Sequence, residues 1–411
     1  MQRIRLGILG VGATTEWAIL PALSGPDAWM PPDRGVWWQR RPAGWGDIAY
    51  QPPARPEVVA LADADGEKLR RVAGASRVRA VYKDWKLMLR EAPLDALICP
   101  QDGVRAHGVS IQEILHEANG RIHSIWLDGP AAFSTHDARA LIRQTRGHKT
   151  RLWCARPLRR AAAHRAAWSL AAEKQIGEIC AVALRWNGAL HPLPLSQGEE
   201  ARQRFASTYA ALDLLLGACA ATSSQTQTAR PLQVLASSQG GATNLWLRAA
   251  NEVCVTALFC AADSWNSPLP RLELCGTQGR ALVCEAGRRL WLHQPNLAAH
   301  LMEPPGLSSH WSAATTMGVA EDLKEFLAAC AEERAPRLQL ESAPEYCSTK
   351  QYSLWPDTAT ILQLGEAIAV SLDENRLVEI EPLEAEPTVS DDGRGAVVES
   401  ARDQTLTLQL S

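Results

Sequence analysis

One segment near the amino terminus restricts the fold more than any other. Residues 3–17 read RIRLGILGVGATTEW: an apolar, β-prone run, glycines at 7, 10 and 12, then the start of a helical period. The next apolar run, EVVALAD (57–63), ends on Asp63. A strand that turns on glycine into a helix, followed by a second strand ending in an acid, opens a doubly wound parallel sheet. In that setting Gly10 permits the tight turn and Gly12 lets a diphosphate approach the backbone. The first helical amides, from Thr14 to Trp17, face the phosphates with the positive end of the helix dipole behind them. Thr15 stands where the third glycine of G-x-G-x-x-G is usual. It either widens the helix–strand packing or offers its hydroxyl to phosphate. Asp63 is placed to accept ribose hydroxyls and to repel a 2′-phosphate, which favours NAD over NADP. The alternative is an unoccupied glycine turn beside a solvated aspartate.

Strand and helix go on alternating. AVY (80–82), DALIC (95–99), HSIWLD (123–128) and TRLWCA (150–155) read as strands with helical segments between them. STHDARALIRQTRGH, from Ser134, opens on a Ser/Thr cap. The first helix contains Pro21, where a bend is expected. After about residue 157 the rhythm changes. A helix over 160–175 is followed by ICAVALRW, TNLWLRAA, EVCVTALFCAA, RLELCG and RALVCEA, joined by short hairpin-like connections. Helices near 317–333 and 357–372 close this second region. The expected fold class is α/β: an N-terminal Rossmann doubly wound parallel sheet (1–153), then a C-terminal α+β domain (154–382) with a large open, mostly antiparallel sheet. An acidic tail, 383–411, follows. Residues 25–56 form an insertion rich in Trp and Pro. It lies on a helix-to-strand connection, at the edge of a parallel sheet away from bound ligands. Trp29, Trp37, Trp38 and Trp45 are assigned first to a packed surface loop, then to a subunit contact, and last to substrate.

Composition narrows the function classes. The 411 residues carry a net charge of −3 with scattered cations, so nucleic acid is not an expected partner. No run approaches the length of a membrane span, and the N-terminus lacks a secretory pattern. Ten cysteines show no Cys-x-x-Cys pair and no zinc spacing. Cys99, Cys180, Cys254 and Cys260 sit in apolar runs and read as reduced core residues of a cytoplasmic protein. No metal is expected.

The order of motifs resembles the glucose–fructose oxidoreductase / inositol dehydrogenase / MocA (Gfo/Idh/MocA) family over roughly residues 3–380. RIRLGILGVG is similar to its first strand and turn, and PEVVALADADGEKLRRVA to its second strand and ribose-binding acid. VYKDWKLMLREAPLDALICPQDGVRAH resembles the stretch running to its D-A-hydrophobic-I-x-T-P-N motif and a histidine. IWLDGPAAFSTHDARALI is similar to the stretch holding its Glu-Lys-Pro. RPLRRAAAHRAAWSLAAEKQIGEICAV is similar to the segment opening its substrate domain. The resemblance implies NAD(P)-dependent hydride transfer on a sugar, polyol or related hydroxyl compound. It also implies a homo-oligomer, since the open sheet of the family often mediates assembly. Gly10, Gly12, Thr14, Thr15, Asp63, Pro100, His107, Asp128 and Pro130 fall at cofactor-binding positions.

The family's catalytic residues are absent. Its lysine falls on Gly129, its histidine on Ala210 and its earlier aspartate on Ala206. General acid–base groups contribute about 10²–10⁴ in rate, so their replacement decides whether turnover survives. Tyr209, Asp213 and His191 are the candidate catalytic substitutes, with Asp128 and Arg159 as candidates to orient a ligand. Each has a structural alternative: Tyr209 a packed aromatic, Asp213 a helix partner, His191 a loop residue, His107 a helix cap. Two functions follow: an oxidoreductase with a non-standard site, or a nucleotide-binding protein with a sensor or structural role.

Overall fold

The computed structural model describes residues 2–24, 54–100, 110–118, 120–147, 150–193, 199–221, 231–249, 252–260, 270–284, 287, 289–295, 297–302, 311–334 and 355–381. The tryptophans of the insertion, His107 and the acidic tail lie outside the described residues. The described residues belong to the unit Met1–Glu381.

The first sheet has β1 (Gln2–Leu9), β2 (Ala54–Ala62), β3 (Ala80–Tyr82), β4 (Ala96–Cys99), β5 (Ser124–Leu127) and β6 (Arg151–Cys154). All neighbours run parallel, in the order β3-β2-β1-β4-β5-β6. Its central strands β4 and β5 are apolar without alternation because both faces are covered, and every residue of both is buried. The order reverses between β1 and β4, so ligands of such a sheet lie at the carboxyl ends of these strands.

Side-chain caps start the connecting helices. Asp65 accepts from the N–H groups of Glu67 and Lys68 (3.0 and 3.1 Å) ahead of Gly66–Ser76. Ser110 and Glu113 form a reciprocal capping box at Ile111–Ala118. The cap expected at Ser134 accepts from the N–H of Asp137 at 3.0 Å. The first helix begins as a π-helical turn, Thr15–Ile19, and continues as Leu20–Ser24. The wide turn ends two residues before Pro21, whose missing N–H cannot continue the α-helical ladder.

The second sheet has β7 (Ile179–Asn187), β8 (Pro231–Gln239), β9 (Ala242–Ala249), β10 (Cys254–Cys260), β11 (Arg271–Gly276), β12 (Gly279–Cys284), β13 (Arg289–His293), β14 (His300–Met302) and β15 (Val378–Glu379). The order is β14-β13-β12-β11-β7-β10-β9-β8-β15, and only β7 and β10 run parallel. Here burial alternates along the strands although the residues are mostly apolar. Val255, Ala257 and Phe259 of β10 are buried, while Cys254 and Thr256 are exposed. Helices Ala162–Ala172, Glu199–Ala221 and Trp355–Glu374 pack on this sheet.

Two expectations change. Helix Trp311–Arg334 was expected to close the second region, but packs on the first sheet. Val319, Leu323, Phe326 and Leu327 join Ile4, Leu6, Ile8 and Trp126 in one core. A period of 3.6 identifies an apolar helix face, not the sheet that receives it. Among the cysteines read as core, only Cys99 is buried; Cys180 and Cys254 are exposed and Cys260 is intermediate. An apolar run in a strand with one uncovered face places every second residue outside.

Candidate functional site

The glycine turn leaves β1 at the switch point. Gly10 has φ +100°, a conformation glycine adopts without a Cβ penalty, and its N–H donates to the carbonyl of Ala62 (2.7 Å). The N–H of Val11 donates to Asp63 Oδ2 (2.7 Å), and that of Asp65 to Oδ1 (2.9 Å). Asp63 is therefore clamped against the turn, 2% exposed, with Lys68 Nζ 3.9 Å away. Each carboxylate oxygen keeps acceptor capacity beyond its one backbone bond. The N–H of Glu16 reaches the carbonyl of Gly12 (3.0 Å). The amides of Ala13, Thr14 and Thr15 precede that first turn and, as at any helix start, have no intrahelical acceptor. The Thr15 hydroxyl is buried and donates to the carbonyl of Gly10 (2.8 Å). It braces the turn instead of facing outward. Glu16 would oppose an anion here, but Arg71 holds it with two bonds of 2.6 and 2.8 Å.

The other strand ends line up along the same edge. Pro100 is buried just after β4, and the N–H of Asp128, after β5, donates to the carbonyl of Cys99 (3.1 Å). Gly129 has φ +105°, and Pro130 is half-buried. A residue with a side chain would be strained at this backbone conformation by about 1–3 kcal/mol, and glycine is not.

Helix Glu199–Ala221 brings the candidate catalytic residues together, but as packed groups. Tyr209 is 3% exposed; its hydroxyl lies 3.2 Å from Thr358 Oγ1 and its ring meets Phe205 edge-on. Burial holds the phenol far above its usual ionisation range. Asp213, also 3% exposed, faces Arg159, with Nη2 2.7 Å from Oδ1 and Nε 3.0 Å from Oδ2; Arg156 Nε lies 3.6 Å from Oδ1. One turn on, Gly217 leaves room for this guanidinium: a Cβ there would stand 2.8 Å from Arg159 Nε. His191 follows β7 and is half-buried; its N–H donates to Thr208 Oγ1 (2.8 Å), which ties its loop to the same helix. Sequence reasoning missed Arg156 and Thr358, because they reach the cluster from β6 and from a helix about two hundred residues later. No local pattern marks either one. Tyr209→Phe is expected to lower stability by no more than about 1.5 kcal/mol, the net value of one hydrogen bond, and to change any turnover less than tenfold. A hundredfold loss would make the phenol a proton donor.

No protein-family model matches the sequence, and no curated protein is similar to it at the sequence level. Solved structures share the fold. Levoglucosan dehydrogenase in complex with NADH and levoglucosan superposes with a TM-score of 0.65 at 15% identity, covering 93% of this chain and 100% of that one. An oxidoreductase from Agrobacterium radiobacter in complex with NAD+, L-tartaric acid and magnesium gives 0.63 at 14%, covering 92% and 98%. An NAD-binding oxidoreductase from Klebsiella pneumoniae gives 0.64 at 15%, covering 92% and 99%.

Proposed function

We propose that this chain binds NAD at the switch point of the first sheet and acts as an oxidoreductase on a sugar, polyol or related hydroxyl compound. The observation that carries the reading is the Gly10 turn clamped to Asp63 beside helical amides that lack intrahelical acceptors. This donor set fits a dinucleotide. The amides of Ala13 to Thr15, beside Gly12, would hold the diphosphate, and Asp63 the adjoining ribose. Pro100, Asp128 and Pro130 would border the nicotinamide end; His107 lies outside the described residues. NAD, when bound, supplies a hydride acceptor or donor at its nicotinamide ring. The residues of the chain bind and orient it; of the candidate catalytic residues, the half-buried His191 would border the place a substrate takes, while Tyr209 and Asp213 are packed in the interior. Neighbours holding NAD+ or NADH, and one holding levoglucosan, support the reading.

The division into a cofactor domain (1–153), a substrate and oligomerisation domain (154–382) and a tail (383–411) belongs to the same proposal, as does a cytoplasmic location. Among the described residues no helix is long and apolar enough to cross a membrane. A homo-oligomer is supported by a face of the second sheet that no helix covers among the described residues, where Ala183, Leu235, Trp246 and Leu258 line a hollow. Light scattering checks the mass in solution.

A second reading, dinucleotide binding without turnover, is favoured by the backbone at Gly129 and by the sealed phenol of Tyr209. Calorimetry separates the possibilities. NADH is expected to bind more tightly than NADPH. Asp63→Ala removes two charge-assisted bonds to ribose and should weaken NADH about a hundredfold, with circular dichroism confirming that the fold persists. Absence of heat with either nucleotide overturns both readings. Binding without turnover across a polyol panel leaves the second.

A further inference from the structure

The open face of the second sheet carries a pair of thiols placed by a defect in its ladder. Strands β7 and β11 run antiparallel; Cys275 pairs with Ala181, and Gly276 with Ile179, so Cys180 is an extra residue on β7. Two residues of β7 oppose one of β11, and the side-chain alternation slips by one at that point. Ile179 and Val182 can thus both turn toward the helices, while Cys180 joins Ala181 on the open face, opposite Cys275. The Cys180 sulfur lies 3.2 Å from the carbonyl oxygen of Cys275. Cys180 is exposed and Cys275 is intermediate. Cys180 is the unpaired residue of the bulge, and its sulfur, held at the Cys275 main chain, is what brings the two side chains together.

We propose that Cys180 and Cys275 form a reversible intrachain disulfide by exchange with a small-molecule disulfide of the glutathione type. The Cys180 thiol gives its proton to water, and its sulfur attacks one sulfur of the disulfide. That S–S bond breaks, and one glutathione leaves as thiolate and is protonated. The Cys275 thiol then loses its proton to water and attacks the Cys180 sulfur, expelling the second glutathione. Two protein thiols are oxidised by two electrons, and one disulfide is reduced to two thiols. Cys180, the more open group, suits the first attack. Burial, with Glu273 nearby, raises Cys275 above the ordinary thiol value, which suits the later, intramolecular step. A cystine that opens and closes in this way matches the transient bonds of reducing compartments. Closed, it joins β7 directly to β11 and encloses everything the chain builds between them, including β8 to β10.

The test uses the full chain, reduced, desalted, exposed to oxidised glutathione and digested without reductant for mass spectrometry. The expected product is a linked peptide pair carrying Cys180 and Cys275, abolished by dithiothreitol and absent from Cys180→Ser. In Cys275→Ser, glutathione should stay on Cys180. Cys254 flanks Ala181 from the other side and is the internal competitor. A Cys180–Cys254 link, glutathione retained on Cys180 in the unaltered chain, or both thiols left free would overturn the proposal. None of these outcomes depends on nucleotide binding, so the test stands or falls apart from the dehydrogenase reading.

Discussion

Asp322→Ala is expected to lower the stability of the folded chain by at least about 3 kcal/mol. Its carboxylate is buried and takes three bonds: Trp126 and Trp153 each donate an indole N–H to Oδ1 at 2.8 Å, and the N–H of Arg156 donates to Oδ2 at 2.9 Å. Alanine leaves three buried donors without an acceptor, at about 1–3 kcal/mol for each unsatisfied group. Domains of this kind are stable by only about 5–15 kcal/mol, so the variant loses much of that margin. Urea unfolding followed by circular dichroism measures the loss. Asp322→Asn keeps Oδ1 for both indoles and turns an amide toward Arg156, so it should fall between alanine and the native chain. A midpoint unchanged in the alanine variant would mean that the helix Trp311–Arg334 is not anchored through this carboxylate.

The second large effect is a loss of stability in acid that traces to one imidazole. His164 is buried and stacked on Trp168, with its rings 6.0 Å apart. Burial lowers it from 6.5 to about 4, against a smaller opposing pull from a backbone hydrogen bond at Leu158. The unfolded chain therefore takes up this proton first. Between pH 6.5 and about 4 the unfolded state binds more protons than the folded one, so stability falls as pH falls through that window. The full effect amounts to about 3 kcal/mol, at about 1.4 kcal/mol per unit. Carboxylates with the opposite burial effect, Asp322 and Glu325, titrate in both chains being compared. His164→Gln should flatten the difference between urea midpoints at pH 7 and pH 4.5. An equally steep fall in the variant would assign the acid sensitivity to other groups.

The part of the molecule legible in one dimension is the part in which chain neighbours are also spatial neighbours. The run from Ile4 to Thr15 holds strand, turn and helix start within twelve consecutive positions. The end of β2 follows from apolar residues stopping at an acid. The helix start at Ser134 is readable for the same reason, because a cap bonds an amide three residues away. The candidate catalytic cluster is different. Tyr209 and Asp213 could be found by register against a resemblance. Their surroundings could not, because Arg156, Arg159 and Thr358 come from other parts of the chain.

What sequence alone determined is the kind of each sheet, parallel where strands and helices alternate and mostly antiparallel where short hairpin connections follow one another, and a glycine turn where the first strand meets its helix. Only the tertiary structure decided which surfaces meet. It set helix Trp311–Arg334 on the first sheet, closed Tyr209 and Asp213 into the interior, gave Gly129 its left-handed backbone, and brought Cys180 opposite Cys275. Hydrophobic periodicity encodes that a face must be buried, since removal from water is non-directional. The choice of partner comes from shape and from polar groups that must find each other, and those contacts are made across the fold.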